Sequence, residues 1–537
     1  MFDQIIRGGT ILSGDGSNRF IGDIAINKDK IALIAPHIEG CAKKEWNADG
    51  YYVTPGFIDI HRHADVALFR PHFGELELRQ GLTTIVNGNC GLSVIPCPKP
   101  YQKEIKEFLL PVTGSFPPTI SFHDFSTYID AVKQVSIPIN IGMLIGNGTV
   151  RAAVKGYETG KLSKEELKQV HNYLDSSLAL GALGVSLGIV YAPEYNYNLD
   201  DFVKVLQPMK QYHVPLVTHI RGEGDIFCES IREVIEIAKQ LNVPLHISHL
   251  KCIGKRNWGH KTREVLDQIE QAREDGLDVT CDLYPYTAGS TQLIQILPPE
   301  YLEGGFSEIT RRLKEEKERK KLTSILKEPS TQFENLVSGV GFENIIISTV
   351  QTAKNQKYVG KSIAAIAKIQ NKNPYDCVYD LLIEEQCKIS MVDFIVSEED
   401  IRTIIKFPSS SIISDTVYPD TGIPHPRMYG TYTKYLSQYI RDEKLLSLED
   451  GIKKITSLPA SVYGLSNKGL LKAGMDADIN VFRLEELHTF ATYQNPKVYS
   501  TGMKYVFVNG ELMIDDDCLV NGKATGKILL NKTRYCD

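Results

Sequence analysis

Eight short apolar runs separated by helical stretches constrain this chain most, because parallel βα units rather than hairpins produce that alternation. The runs are GFIDIH (56–61), TTIVNGN (83–89), INIGMLIG (139–146), GVSLGIVY (184–191), PLVTHI (215–220), PLHISHL (244–250), DVTCDLYPY (278–286) and SSIISD (410–415). Helical partners lie between several of them. In 262–276, Val265, Ile269 and Ala272 recur at three- to four-residue spacing, and Gly276 marks the end. Eight such units predict an α/β fold closed as a (β/α)8, TIM-like barrel.

The interval between the seventh and eighth runs, about 287–409, is too long for an ordinary connection and is expected to be an inserted subdomain over the barrel mouth. Its charged stretch EITRRLKEEKERKKLTSILKE interleaves acids with bases, which reads as a solvated helix rather than a nucleic-acid patch. The chain ends have another texture. QIIRGGTIL, DIAINKDKIALIA and YYVTPG at one end, and GLLKAGMDADINVFRL, MKYVFVNGELMI and KATGKILL at the other, read as strands and turns, with Asn509-Gly510 a hairpin signal. They predict one discontinuous β-sandwich domain from 1–54 and 462–537 around a barrel of 55–461.

Charge and cysteine usage narrow the class. Sixty Lys plus Arg against 66 Asp plus Glu, net charge −6, give no basic footprint for nucleic acid or an anionic membrane. MFDQIIRGGTILSGDG has no basic segment leading into an apolar stretch, and no run of about 18 apolar residues follows, so neither export nor membrane spanning is expected. The ten cysteines form no CxxC pair, so no disulfide scaffold or zinc ribbon is indicated. A reduced, cytoplasmic enzyme is the expectation.

In such a barrel the chemistry projects from the C-terminal strand ends. His61 and His63 close the first run, Cys90 the second, His219 the fifth, His249 the sixth and Asp415 the eighth. Alternation turns both histidines of HRH the same way, so they can share a metal. An isolated HxH is as readily surface or core, and Cys90 alone reads also as a small buried hydrophobe. Five imidazole or thiolate donors at four strand ends point together to a metal, and their type selects Zn2+.

TPGFIDIHRHAD, GLTTIVNGNCG, GALGVSLGIVYAPEYN, THIRGEGD, HISHLKCIGKRNWG, DLYPYTAGST, ISDTVYPDTGIPHPRMYGTYTKYL and ITSLPASVYGLSNKGLLKAGMDADINVF together resemble the D-aminoacylase (N-acyl-D-amino-acid deacylase) family of the metal-dependent amidohydrolases, over nearly the whole chain. Hydantoinase-like members carry a carboxylated lysine after the fourth strand. GVSLGIVYAPEYN has none, and Cys90 stands where this family's bridging cysteine does. The resemblance implies a tight zinc on Cys90, His219 and His249, with His61 and His63 completing a second, weaker position. It implies hydrolysis of N-acyl-D-amino acids, with zinc as Lewis acid and water activator and Asp415 as proton carrier.

Such a substrate carries a free carboxylate, which calls for cations and hydroxyls opposite the metal. Lys251, two residues past His249, shares its strand face if the extended geometry continues. The resemblance adds Tyr191, Tyr284, Ser290 and Arg427 as substrate contacts. Lys251 and Arg427 read equally as structural ion pairs, and the tyrosines as packing aromatics. Arg221 and Glu223 are expected to support His219. Two positions depart from the family: Ala64 replaces an expected acid, and Asn147 an expected histidine. The alternatives are an amidohydrolase for a cyclic amide or a D-residue dipeptide, and a non-catalytic scaffold.

Overall fold

The computed structural model describes residues 1–158, 160–520 and 522–531. The last six residues of the expected β domain, with Cys536, lie outside the described residues.

The eight runs form eight parallel strands: β1 (Phe57–Asp59), β2 (Leu82–Asn87), β3 (Asn140–Met143, continued by Ile145–Gly146), β4 (Val185–Gly188), β5 (Leu216–His219), β6 (Leu245–Ile247), β7 (Val279–Leu283) and β8 (Ser410–Ile412). Each pairs with the next. A parallel bridge between Arg62 and Thr416, with Asp415 N–H donating to the His61 carbonyl at 3.0 Å, closes β8 onto β1. Most strand residues are buried on both faces, which is why the runs are almost continuously apolar. The helix His260–Glu274 packs against β7, with Val265, Ile269 and Ala272 buried as its spacing predicts and Gly276 at φ 93° behind its end. Burying each branched side chain stabilises the layer by about 1.5–3 kcal/mol.

Segments from both chain ends make one nine-stranded sheet. Val53 faces Val481 where Tyr52–Pro55 pairs with Ile479–Phe482, so the two ends of the chain share a ladder. The ladder forks at Phe2–Ile11. The first half of that strand pairs with Ala42–Asn47, its last two residues with Tyr52 and Val53. Trp46 on one branch meets Tyr505 and Phe507 on the other at ring separations of 5.3 and 5.7 Å, giving the two apposed layers of a sandwich. Asn509 and Gly510 both adopt positive φ (48° and 82°), the geometry a two-residue hairpin requires.

KATGKILL departs from expectation. Instead of adding a strand to that sheet, it runs along the barrel wall: Gly526 N–H donates to the Ile137 carbonyl, Ile141 N–H to Lys527 and Leu529 N–H to Ile141. β4 pairs with the Ile145–Gly146 continuation of β3 rather than with Asn140–Met143, which leaves that part of β3 to the segment.

Between β7 and β8 the chain forms a three-stranded antiparallel sheet, Ala288–Gln292, Ser390–Phe394 and Ile345–Thr349 in spatial order, with helices around it. The stretch expected as a solvated helix forms two, Gly305–Leu313 and Glu316–Lys327. No helix among the described residues is long and apolar enough to cross a membrane.

Candidate active site

His219 is the last residue of β5, whereas regular strand geometry ends before the other ligand candidates and the chain turns there. Cys90 (φ 56°), His249 (φ 36°) and Asp415 (φ 49°) all adopt left-handed backbone, uncommon for non-glycine residues and concentrated at functional sites. Glycines make room for this. At Gly91 (φ 69°) a Cβ would run into the Glu194 carboxylate.

The predicted donors converge. The ligating atoms of His61, His63 and Cys90 lie within 4.8 Å of one another, and so do those of Cys90, His219 and His249. Cys90 Sγ is 3.3 Å from His61 Nε2 and 3.5 Å from His249 Nε2. Asp415 Oδ1 lies 3.5 Å from His61 Nε2 and 3.4 Å from His63 Nε2, while its Oδ2 meets Arg427 Nη1 at 2.9 Å. One thiolate with four imidazoles, all buried, is a donor set that fits a first-row dication such as zinc, and Cys90 belongs to both groups.

At His219 and His249 electrostatics agree with that chemistry. Burial, reinforced at His249 by the neighbouring Lys251 charge, holds His219 and His249 well below the ordinary imidazole range, leaving neutral rings with free lone pairs. Burial also pushes the Cys90 thiol up, a penalty a bound dication reverses. For Asp415 burial acts upward, but Arg427, His63 and His61 overcome it and hold the carboxyl well below its usual value.

Each histidine ligand needs an outer partner to fix its orientation. Glu223 does not serve His219 as expected. Its Oε1 lies 3.1 Å from His249 Nδ1 and accepts from Lys251 Nζ at 2.6 Å, because the loop after β5 folds over the end of β6. Arg221 is bound to Glu233 and to the Tyr195 and Tyr197 carbonyls, away from the metal donors. Lys251 reaches His249, at 3.0 Å, although β6 has already ended, so the shared face arises from a turn and not from extended geometry. Sequence reasoning missed Asp282 at the end of β7. It lies 3.6 Å from His61 Nδ1, is 2.9 Å from His246 Nε2 and accepts from the His249 backbone. Its position at a strand end was the available signal. Replacing Glu223 with Gln is expected to weaken metal retention about 10–100-fold, read by titration with a chelator.

Of the residues expected to contact substrate, Lys251, Tyr191, Tyr284 and Ser290 line one cleft together with His63, Cys90, His219 and Asp415, whereas Arg427 is not among its lining residues. Tyr191 lies against the His219 ring at 4.8 Å. Arg427 stands over the Tyr284 ring at 4.7 Å, and its Nη2 donates to the Ser290 carbonyl at 3.3 Å. His425 fixes the Arg427 backbone by accepting its N–H at 3.0 Å. The inserted segment supplies the outer wall through Ser290, Gln295, Glu334 and Asp393. Asn147 donates to Glu194 at 2.7 Å and does not line the cleft.

The chain is 30% identical to D-aminoacylase of Alcaligenes xylosoxydans xylosoxydans, over 98% of its own length and 97% of the relative. It belongs to the D-aminoacylase family of amidohydrolases. A profile described as amidohydrolase family matches residues 347–514. Among solved structures, a D-aminoacylase studied for its binuclear metal centre, with one-metal activation and second-metal attenuation, superposes with a TM-score of 0.82 at 29% identity, covering 99% of this chain and 100% of that one. An N-acyl-D-glutamate deacylase from Bordetella bronchiseptica, complexed with zinc and a phosphonate mimic of the tetrahedral intermediate, gives 0.82 at 27% identity with the same coverage. This membership bears out the resemblance read from the motifs.

Proposed function

We propose that the chain hydrolyses the amide bond of N-acyl-D-amino acids to a D-amino acid and a carboxylate, with zinc held by Cys90, His219 and His249. The observation that carries this is the juxtaposition of that buried thiolate–imidazole set with an ionised Asp415, in a family whose named members are D-aminoacylase and N-acyl-D-glutamate and N-acyl-D-aspartate deacylases. When bound, zinc supplies Lewis-acid chemistry, polarising the amide carbonyl and acidifying water.

The remaining work falls to the chain's own groups. Asp415 takes a proton from the attacking water and returns it to the departing nitrogen, for which it must start ionised. Arg427 and His63 hold it so. Tyr284 and Ser290 meet the substrate's α-carboxylate, and the Arg427 guanidinium, stacked on Tyr284 and spanning Asp415 and Ser290, lends that end of the cleft its positive field. Lys251, tied to Glu223, adds positive field on the opposite side while steadying His249. Tyr191 packs on His219 and closes that side against water. His61 and His63 offer the second, weaker metal position.

The test is a panel of N-acetyl-D-amino acids, their L-enantiomers and dihydrouracil, with zinc per chain measured on the same sample. Turnover confined to D-substrates is expected. Equal D and L rates, or activity on dihydrouracil alone, would overturn the assignment.

A further inference from the structure

We propose that Asp393 selects, among N-acyl-D-amino acids, those whose side chain ends in a cation, an ammonium or guanidinium as in D-lysine and D-arginine. The proposal rests on the deacylase reading and adds the substrate class to it. Asp393 lies on the middle strand of the inserted sheet, opposite Gly289 on one side and Ile345 on the other. Its side chain lines the cleft, the residue is 2% exposed, and its Oδ1 has no hydrogen-bond partner. A buried carboxylate without a partner is costly, and a ligand that supplies the missing charge recovers that cost.

The cations whose fields reach Asp393 are already committed. Lys251 is bound by Glu223 at 2.6 Å and Arg427 by Asp415 at 2.9 Å. The same wall carries Glu334, and the amide nitrogen of Gln295 is likewise buried without a partner. Burial raises the Asp393 pKa to about 6, against the pull of Lys251 and Arg427, so the group is ionised at neutral pH.

Position assigns the carboxylate to the amino acid's side chain. Gly289 lines the cleft beside Asp393, where a Cβ would meet Asp393 Oδ1 at 2.9 Å, Ile395 Cδ1 at 3.1 Å and the Tyr284 hydroxyl at 3.4 Å, so any larger residue would crowd the carboxylate on that wall. With Tyr284 and Ser290 on the α-carboxylate, this wall of the cleft faces the adjacent side chain. A cation in the cleft against that wall completes the unpaired Asp393, whereas the carboxylate of a D-glutamyl or D-aspartyl side chain meets like charge.

The experiment measures kcat/KM of the zinc-loaded enzyme for N-acetyl-D-lysine, for N-acetyl-D-norleucine, which lacks only the ammonium, and for N-acetyl-D-glutamate. Wild type is expected to favour the lysine substrate over norleucine by at least about tenfold, with glutamate poorest, because a site built around a charged partner discriminates strongly against its absence. Asp393→Asn is expected to cut the lysine-to-norleucine ratio about tenfold at unchanged zinc content. A wild-type ratio at or below one, or a ratio unchanged in the variant, overturns the proposal while leaving the deacylase reading intact. Absence of turnover for every N-acetyl-D-amino acid overturns both. If the variant does not fold, competitive inhibition of wild type by D-lysine against D-norleucine replaces it, and equal inhibition overturns the proposal.

Discussion

Substituting Asp415 with Asn is expected to lower kcat by about 1,000-fold or more while zinc per chain stays near the wild-type value, the loss typical of a group that both accepts and returns the proton. The substitution is well suited to the question. Asparagine matches aspartate in size and is among the few residues that accept left-handed backbone readily, so the φ of 49° at this position is retained. What disappears is the proton acceptor and the charge that Arg427 Nη1 meets at 2.9 Å. The check is steady-state turnover of an N-acetyl-D-amino acid alongside metal analysis. Retention of more than about a tenth of wild-type kcat would remove Asp415 from proton transfer, since general acid–base groups contribute at least about 100-fold.

The second large effect is at Cys90. Replacement by Ala is expected to remove the tightly held zinc and, with it, hydrolysis, lowering metal affinity by at least about 100-fold, the upper range for losing even an outer partner of a ligand. Cys90 is the single thiolate in both donor groups, and the four histidines that remain supply no negative charge. Backbone strain does not confuse the comparison. Alanine and cysteine pay the same cost of about 1–2 kcal/mol for a left-handed φ, so metal-free wild type and the variant should unfold at similar temperatures. A zinc content near one per chain after dialysis would assign the tight position to the histidines alone.

What the sequence revealed follows from which interactions are local. The eight barrel strands were legible because residues such as Ile85 and Val86, or Val217, are buried on both faces and leave a continuous apolar run. The donors were legible because the barrel puts every strand's C-terminal end at one mouth, so His219 and His249 need no further information to be neighbours. Pairings between loops were not. Glu223 leaves the end of β5 and reaches His249 after β6, and nothing in HIRGEGD distinguishes that histidine from His219. Asp393 is still less accessible to reading, since its place in the cleft depends on a strand pairing with Gly289 across an intervening hundred residues. The left-handed turns at Cys90, His249 and Asp415 were not anticipated either, because none of the three is glycine. KATGKILL shows the same limit from the other direction: its apolar residues suggest a strand-like segment without specifying the neighbour.

The sheet shared by the two chain ends has a consequence for the order of events during synthesis. Tyr52 and Val53 emerge from the ribosome early, yet their partners Phe482 and Val481 follow more than 400 residues later. At about 5–20 residues per second the N-terminal strands wait for tens of seconds with one edge unpaired. The whole barrel, including Asp415 and the segment that carries Asp393, is translated within that interval. A barrel that begins to form first would therefore present Gly56 and Phe57 as a fixed anchor, and the ladder between the chain ends would be among the last connections made. Nascent chains halted before Ile479 should accordingly remain sensitive to protease within their first fifty residues, while chains extended past Asp515 become resistant there.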